Sequence, residues 1–217
     1  MNMYESIVTF FQSGGMFMVP IVVVLAVGLA IAIERYVYLS KTSLSNQMAW
    51  KKIQKILSSG NMNEAINFTK KSKCAISQIM GYGISSAQSS RRRDDVETAM
   101  EEGLMEVVPK LEKRTHYLAT FANVATLLGL LGTIIGLIDA FTSIAEANPA
   151  EKADLLSSSI SVAMNTTAFG LMVGIPLLLL HSWLQTKTTE IVDSLEMASV
   201  KVLNSITSTM RTEPKAA

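Results

Sequence analysis

Three apolar stretches that are long enough to cross a lipid bilayer dominate this sequence of 217 residues. The first runs from Met16 to Ile33, the second from about Tyr117 to Phe141 and the third from about Leu155 to Trp183. Asp139, near one end of the second stretch, is the single formal charge inside them. About 20 consecutive apolar residues span the hydrocarbon core of a membrane. The sequence therefore predicts three transmembrane helices.

Composition excludes several other classes of protein. Hydrophobic residues make up 49% of the chain and charged residues only 17%, with a net charge of +1, so no nucleic-acid-binding surface is expected. The single cysteine, Cys74, forms no internal disulfide and is interpreted as an incidental thiol. His116 and His181 have no neighbouring residues at metal-ligand spacing. Without a nucleophile and base pair or a phosphate-binding loop, we predict neither an enzyme nor a bound cofactor.

The fold class predicted is an all-α integral membrane protein whose second and third transmembrane helices extend into a cytoplasmic helical bundle. The predicted segments are an N-terminal amphipathic helix over 1–15, transmembrane helices over 16–39, 117–142 and 157–184, a cytoplasmic helical region over 40–116, a short periplasmic loop over 143–156 and a cytoplasmic helical tail over 185–217. The first segment carries Glu5 but no Lys or Arg, so it lacks the basic start of a signal peptide.

Charge in the connecting segments predicts the orientation. Segment 41–116 and the tail after the third span contain every Lys and Arg except Arg35 and Lys152. The connection 143–156 instead carries three carboxylates and one lysine. Because basic connecting segments stay in the cytoplasm, we predict a cytoplasmic C-terminus and an N-terminus on the opposite side.

Two helices are expected to project past the membrane. The apolar pattern from Asp94 onward predicts a helix that runs without interruption into the second span, and the pattern after the third span predicts a continuous helical tail. The triplet Arg91–Arg93 can contact anionic lipid. A solvated loop is the interpretation that we favour for it.

Small and hydroxylated residues form a stripe along the second span, within "ATLLGLLGTIIGLIDAF" at 125–141. Thr126, Gly129, Thr133 and Gly136 are spaced by three or four residues, which places them on one face of a helix. Gly132 and Gly136 also form a GxxxG pair. The third span has a second stripe of this kind, formed by Ser159, Ala163, Thr166 or Thr167, Gly170 and Gly174, and Asn165 adds an amide.

These stripes have two interpretations. Small residues let helix backbones pack closely, with each threonine bonded one turn back along its own helix. Alternatively, the stripes form a polar lining. Thr133 and Thr167 each lie ten residues from the predicted outer boundary, so both are about 15 Å deep, and this shared level favours a lining. Because no carboxylate lies at mid-depth, an ion pathway here needs one from another chain.

The motifs resemble those of a known family. In the second span, "LLGLLGTIIGLIDAF" is similar to the G-L-x-G-T-x-x-G signature of the ExbB/TolQ/MotA family of ion-driven motor proteins. In the third span, "NTTAFGLMVGIPLLL" is similar to the family pattern [AT]-T-A-x-G-L-x-x-x-I-P. The three predicted spans resemble the ExbB and TolQ branches, whereas MotA-type stators have four.

The resemblance implies a homopentamer in the bacterial cytoplasmic (inner) membrane, with the second and third spans around a central pore. Single spans of ExbD- or TolR-like partners, each with a membrane aspartate, sit inside that pore. Proton flow moves these partners and, through a TonB- or TolA-like protein that spans the periplasm, energises TonB-dependent transport across the outer membrane. The family's pore threonines correspond to Thr133 and Thr167. A TolQ-like role in envelope integrity and a passive membrane scaffold are the alternatives.

One departure from the family pattern affects the choice of ion. The family commonly has a glutamate five residues before the third-span threonine, where this chain has Val162. The adjacent threonines Thr166 and Thr167 instead resemble the double threonine of sodium-driven stators. Hard cations prefer oxygen ligands. The expected ion is therefore H⁺ or Na⁺, with Thr133, Thr166 and Thr167 as the sodium ligands.

Overall fold

A computed structural model describes residues 14–59, 62–90 and 92–212, and all regular structure in these ranges is α-helical. The helices are α1 (Met18–Ser58), α2 (Met62–Lys71), α3 (Ala75–Ser89), α4 (Arg93–Glu112), α5 (Thr115–Glu146) and α6 (Lys152–Thr212). The predicted all-α fold class is confirmed. Apart from Gly14 and Gly15, the amphipathic helix predicted over 1–15 lies outside the described residues.

The chain divides into two compact units. Among the described residues, the membrane unit contains those up to Glu34 together with Arg114–Trp183, and the second unit contains those of Arg35–Lys113 together with those from Leu184 onward. Three helical stretches are long and apolar enough to cross a membrane, and they include the apolar parts of α1, α5 and α6. The protein is therefore a multi-pass membrane protein.

Helix α1 begins after a turn in which Gly15 has a φ of +70°, a conformation that favours glycine. Pro20 lies in its first turn, where the missing backbone N–H is not needed. The helix has 41 residues in all, so the first span and the beginning of the predicted region 40–116 form one element. Gly28 lies against Leu177 of α6, whose Cδ2 would be 2.9 Å from an added Cβ.

The continuous helix predicted for the third span and the tail is confirmed, because α6 runs for 61 residues. Pro176 lies inside it and removes one backbone hydrogen bond. The helix nevertheless continues past this position, as membrane helices with proline commonly do.

The uninterrupted helix predicted from Asp94 into the second span is wrong. Helix α4 ends at Glu112 and α5 begins at Thr115. Between them, Arg114 has a φ of 69°, which lies in the left-handed region and cannot continue a right-handed helix. Its guanidinium Nη1 lies 3.5 Å from Glu34 Oε2. The backbone N–H of Lys113 donates to the carbonyl oxygen of Pro109 at 3.1 Å and closes the last turn of α4.

The core of the second unit forms where α3 packs against α2 and α4. The predicted apolar stripe of α4 is buried at Val96, Met100, Val107 and Leu111. A Cβ at Gly103 would lie 3.0 Å from the Cα of Ile79 and 3.1 Å from the ring of Tyr82, so this glycine lets α3 and α4 approach closely.

Arg35 donates a hydrogen bond to the last turn of α4. The side chain is buried, its Nη2 donates to the carbonyl oxygen of Leu111, and its guanidinium stacks on the ring of Tyr38 at 4.8 Å. The last carbonyl groups of a helix have no partner within the helix. The first residue of the second unit therefore caps α4 from α1.

Candidate functional site

Helices α5 and α6 meet backbone to backbone in the membrane unit. A Cβ placed on Gly170 would lie 2.7 Å from the carbonyl oxygen of Ala125 and 2.9 Å from the Cα of Gly129. A Cβ on Gly129 would lie 3.2 Å from the Cα atoms of both Gly170 and Thr167. These are backbone atoms that cannot move aside independently. The two helices can approach this closely only because both positions are glycine.

The other predicted small residues continue this contact, which we call the glycine seam (Gly129, Gly132 and Gly136 of α5; Gly170 and Gly174 of α6). Gly132 faces the methyl group of Thr166, and a Cβ on Gly136 would lie 2.9 Å from the Cβ of Ala163. A Cβ on Gly174 would lie 2.6 Å from the hydroxyl of Thr126 and 3.0 Å from the carbonyl oxygen of Ala122. The glycines of both predicted stripes therefore lie in this seam.

A threonine hydroxyl joins the two helices in the middle of the seam. Thr167 Oγ1 donates to the carbonyl oxygen of Gly129 at 2.8 Å. Gly129 lies one helical turn before Thr133, so Thr133 and Thr167 differ in depth by about one turn, or 5–6 Å. Antiparallel α5 and α6 thus place these two threonines within about one helical turn of each other in depth.

Thr133 and Thr126 stand at the edge of the seam and bond within their own helix. The Thr133 hydroxyl donates to the carbonyl oxygen of Leu130 at 2.6 Å, and that of Thr126 donates to the carbonyl oxygen of Ala122 at 3.1 Å. Thr126 is exposed and Thr133 is half-exposed. Together with half-buried Thr167 they form an edge of hydroxyl groups that we call the threonine edge (Thr126, Thr133, Thr167).

Thr166 points to a different neighbour from Thr167. It is only 2% exposed, and its Oγ1 is within donating distance of two carbonyl oxygens, that of Gly14 at 2.5 Å and that of Val162 at 3.0 Å. Asn165 is half-buried. The structure therefore places Thr126, Thr133 and Thr167 at the seam, whereas Thr166 packs its methyl group against Gly132 and directs its hydroxyl to the segment before α1. The sequence offers no signal for the contact with Gly14.

The carboxylate nearest to the threonine edge along the chain is Asp139, six residues or about 9 Å beyond Thr133 on α5. In the described parts of the spans, Asp139 is exposed near the end of α5, and Glu34 is paired with Arg114. No group of three or more His, Cys, Asp or Glu side chains that could hold a metal ion occurs among the described residues. The hydroxyl and carbonyl oxygens of this chain can solvate an ion, but they cannot accept and release a proton at neutral pH.

Two arginines of the triplet, Arg92 and Arg93, contact neighbouring side chains. Arg91 lies outside the described residues. Arg92 Nη2 is 4.0 Å from Asp94 Oδ2, and Arg93 Nε is 3.9 Å from Glu97 Oε2. Arg93 also donates to Asn204 Oδ1 at 3.2 Å. These contacts favour the solvated-surface interpretation of the triplet over a lipid contact.

Membrane-length helices joined by a glycine seam define a polytopic helical membrane protein with hydroxyl groups at the seam's edge. Residues 71–197, more than half of the chain, match the model of the MotA/TolQ/ExbB proton channel family. The chain belongs to this family, as its motifs predicted. The family is one of channel proteins and not of enzymes.

Three relatives illustrate the similarity. The chain is 28% identical over 198 residues to a biopolymer transport protein ExbB homolog of Methanothermobacter thermautotrophicus, covering 90% of this chain and 69% of the relative. It is 35% identical over 81 residues to biopolymer transport protein ExbB of Aquifex aeolicus, covering 37% and 54%. It is 31% identical over 93 residues to Tol-Pal system protein TolQ of Haemophilus influenzae, covering 43% and 40%. The matched segments thus span about half of the latter two relatives.

Proposed function

We propose that this chain is the ExbB-like channel subunit of an ion-driven motor in the bacterial inner membrane. Five copies assemble so that α5 and α6 surround a central pore, with the N-terminus in the periplasm and the C-terminus in the cytoplasm. Ion flow through the pore moves an ExbD-like partner, which energises TonB-dependent transport across the outer membrane. Family membership and the basic segments 41–116 and 185–217 support this assignment.

The observation that carries the proposal is that Thr133 and Thr167, on two packed helices, lie within about one helical turn of each other in depth. A seam that served only to pack helices needs small residues, but it does not need a half-exposed hydroxyl beside it. Ion translocation additionally needs a titrating or coordinating carboxylate. The described spans of this chain hold carboxylates only near their ends, at Glu34 and Asp139. An ExbD- or TolR-like single span with a membrane aspartate supplies the missing group, and a TonB- or TolA-like protein receives the motion.

Reconstitution into liposomes tests the motor against a passive scaffold. We expect an imposed proton gradient to drive proton uptake only when this chain and its single-span partner are present together. Replacing the partner's membrane aspartate with asparagine should remove the uptake without removing the complex. Liposomes with the partner alone are the control. A complex that assembles fully but conducts no ions with its aspartate intact would establish the scaffold instead.

The TolQ-like alternative differs in the system that the motor serves, and the similarity to a TolQ protein supports it. Deletion of the gene separates the two. Loss of TonB-dependent uptake with an intact envelope indicates the ExbB-like role, whereas leakage of periplasmic proteins with normal uptake indicates the TolQ-like role.

Sodium is a second candidate for the driving ion. Val162 replaces the glutamate common in the family, and Thr166 Oγ1 lies beside the carbonyl oxygens of Gly14 and Val162. Three oxygens in one place match the preference of hard cations. The hydroxyl of Thr166 has different hydrogen-bond partners from the hydroxyl of Thr167. The oxygens around Thr166 and the oxygens of the threonine edge are therefore two separate candidate sets of sodium ligands.

Sodium withdrawal at a fixed proton gradient distinguishes the two ions. A proton-driven motor should keep its full transport rate when sodium is replaced by potassium. A sodium-driven motor should lose nearly all of its transport, and Thr166→Val should then lower its apparent sodium affinity. Undiminished transport without sodium would eliminate the sodium mechanism.

A further inference from the structure

A cavity of about 420 Å³ lies within the second unit, where α1, the start of α3 and the end of α4 come together. Its volume is typical of small-ligand sites. Three lysines line it, Lys41, Lys73 and Lys110, together with hydroxyl and thiol groups that include Ser45, Ser72 and Cys74. None of the described residues that line it is a carboxylate. The wall is therefore suited to an anion.

The lysines differ in how much of their charge is already balanced. Lys110 Nζ lies 2.7 Å from Glu106 Oε1, and this hydrogen bond, with a second from Tyr82, holds the pKa of Glu106 below its usual range. Glu106 thus stays ionised and offsets Lys110. Among the described residues, Lys41 and Lys73 form no ion pair. These two ammonium groups supply the uncompensated charge of the cavity.

The start of α3 adds to this positive potential. Cys74, the N-cap residue, makes no side-chain capping hydrogen bond. Its Sγ lies 3.0 Å from the hydroxyls of Ser72 and Ser77. Asn46 accepts from the backbone N–H of Ile76 at 3.3 Å. The other N–H groups of the first turn have no acceptor within the helix, and a helix N-terminus favours negative charge. Cys74 and Ala75 place this end of the helix in the cavity wall.

The cavity-lining residues of α1 follow closely on the first span along the chain. Lys41 is eight residues beyond Ile33, the last residue of the apolar stretch, on the continuous helix α1. This separation corresponds to about 12 Å along the helix axis. Tyr38, between them, lines the cavity too, and Tyr and Lys are typical of the membrane interface. The apolar side chains of Val107 and Leu111 complete the wall, which suits a ligand with a polar head and an apolar part.

We propose that this cavity binds the phosphate group of an anionic phospholipid, with Lys41 and Lys73 as its principal contacts. The site is independent of the threonine edge. The bound lipid would hold α1, α3 and α4 together where the chain leaves the bilayer. A free phosphate ion has the same charge chemistry but no apolar part, so the two ligands can be separated experimentally.

Native mass spectrometry of the full-length protein, titrated with dioctanoyl phosphatidylglycerol, measures the binding. Each interfacial lysine contributes about a fivefold increase in affinity for anionic lipid. The double variant Lys41→Gln/Lys73→Gln should therefore bind about 30-fold more weakly. The matched control, Lys51→Gln/Lys70→Gln, removes the same charge from two exposed lysines outside the cavity and should bind like the unmodified protein. Equal affinities in the two double variants would overturn the site.

Cys74 provides a second measurement inside the cavity. It is half-buried and is the single cysteine of the chain, so its rate of alkylation by a maleimide reports on occupancy. Phosphatidylglycerol should slow the reaction severalfold in the unmodified protein and have no such effect in Lys41→Gln/Lys73→Gln. Protection by phosphatidylcholine that equals protection by phosphatidylglycerol would contradict anion recognition. Protection by millimolar inorganic phosphate that matches the lipid would reassign the site to a free phosphate ion.

Discussion

Replacing Gly170 with alanine is expected to force α5 and α6 apart and to destabilise the protein strongly. The added methyl would lie 2.7 Å from the carbonyl oxygen of Ala125 and 2.9 Å from the Cα of Gly129. Both atoms belong to the backbone of α5, so no side-chain rotation relieves the contact. Overpacking of a close-packed interior costs about 1–3 kcal/mol. The cost here should lie at the upper end of that range, because a whole helix must shift.

Gly81→Ala is the matched control for this prediction. Gly81 also lies inside a helix, but a Cβ there would lie 3.8 Å from the nearest side-chain atom, Thr69 Cβ, an ordinary contact distance. Alanine favours a helix by up to about 1 kcal/mol over glycine, so this variant should be unchanged or slightly stabilised. Thermal unfolding in detergent measures both. Equal melting temperatures for Gly170→Ala and the unmodified protein would show that α5 and α6 do not pack as described.

The spans could be predicted from the sequence because the bilayer imposes a single requirement. A helix that crosses it must be apolar over about 20 residues, and 16–33, 117–141 and 155–183 satisfy this without help from any neighbour. The stripes could be predicted for a similar reason. Residues three or four positions apart share a helix face wherever that helix lies.

The break between α4 and α5 could not be predicted in this way. It depends on the left-handed conformation of Arg114, which an arginine adopts only when its surroundings favour it. The ion pair with Glu34, 80 residues earlier in the chain, is part of those surroundings. Hydropathy and periodicity describe a segment by itself, so they do not detect such a constraint.

The placement of the threonines could likewise be predicted only in part from the sequence. Adjacent residues on a helix are about 100° apart, so Thr166 and Thr167 had to face different directions, and the helical period contains this information. The acceptors of their hydroxyls, Gly14 and Gly129, depend on how α6 is placed against other segments. Helix register across an interface is a tertiary property, and one sequence does not specify it directly.

Thr133→Val is expected to abolish most ion flow while leaving the assembly intact. The hydroxyl of Thr133 bonds to Leu130 within its own helix, so valine removes an oxygen from the threonine edge without breaking a bond between α5 and α6. In this variant, an ion that passes residue 133 lacks one of the oxygens that would replace its hydration shell. An unmet polar contact of this kind costs about 1–3 kcal/mol, so flux in liposomes should fall roughly tenfold or more.

Two further variants, Thr133→Ser and Thr167→Val, test whether the loss of ion flow is due to the missing hydroxyl of Thr133. Thr133→Ser keeps the hydroxyl and should conduct normally. Thr167→Val should also lose ion flow, but it additionally breaks the hydrogen bond to Gly129, which in a membrane contributes about 0.6 kcal/mol, so its melting temperature should fall as well. A stable, fully assembled Thr133→Val complex that conducts like the unmodified protein would remove Thr133 from the ion pathway. Reduced flux in Thr133→Val without a loss of stability would separate ion conduction from helix packing. Substitutions of the seam glycines cannot do this, because they change the packing of α5 and α6 themselves.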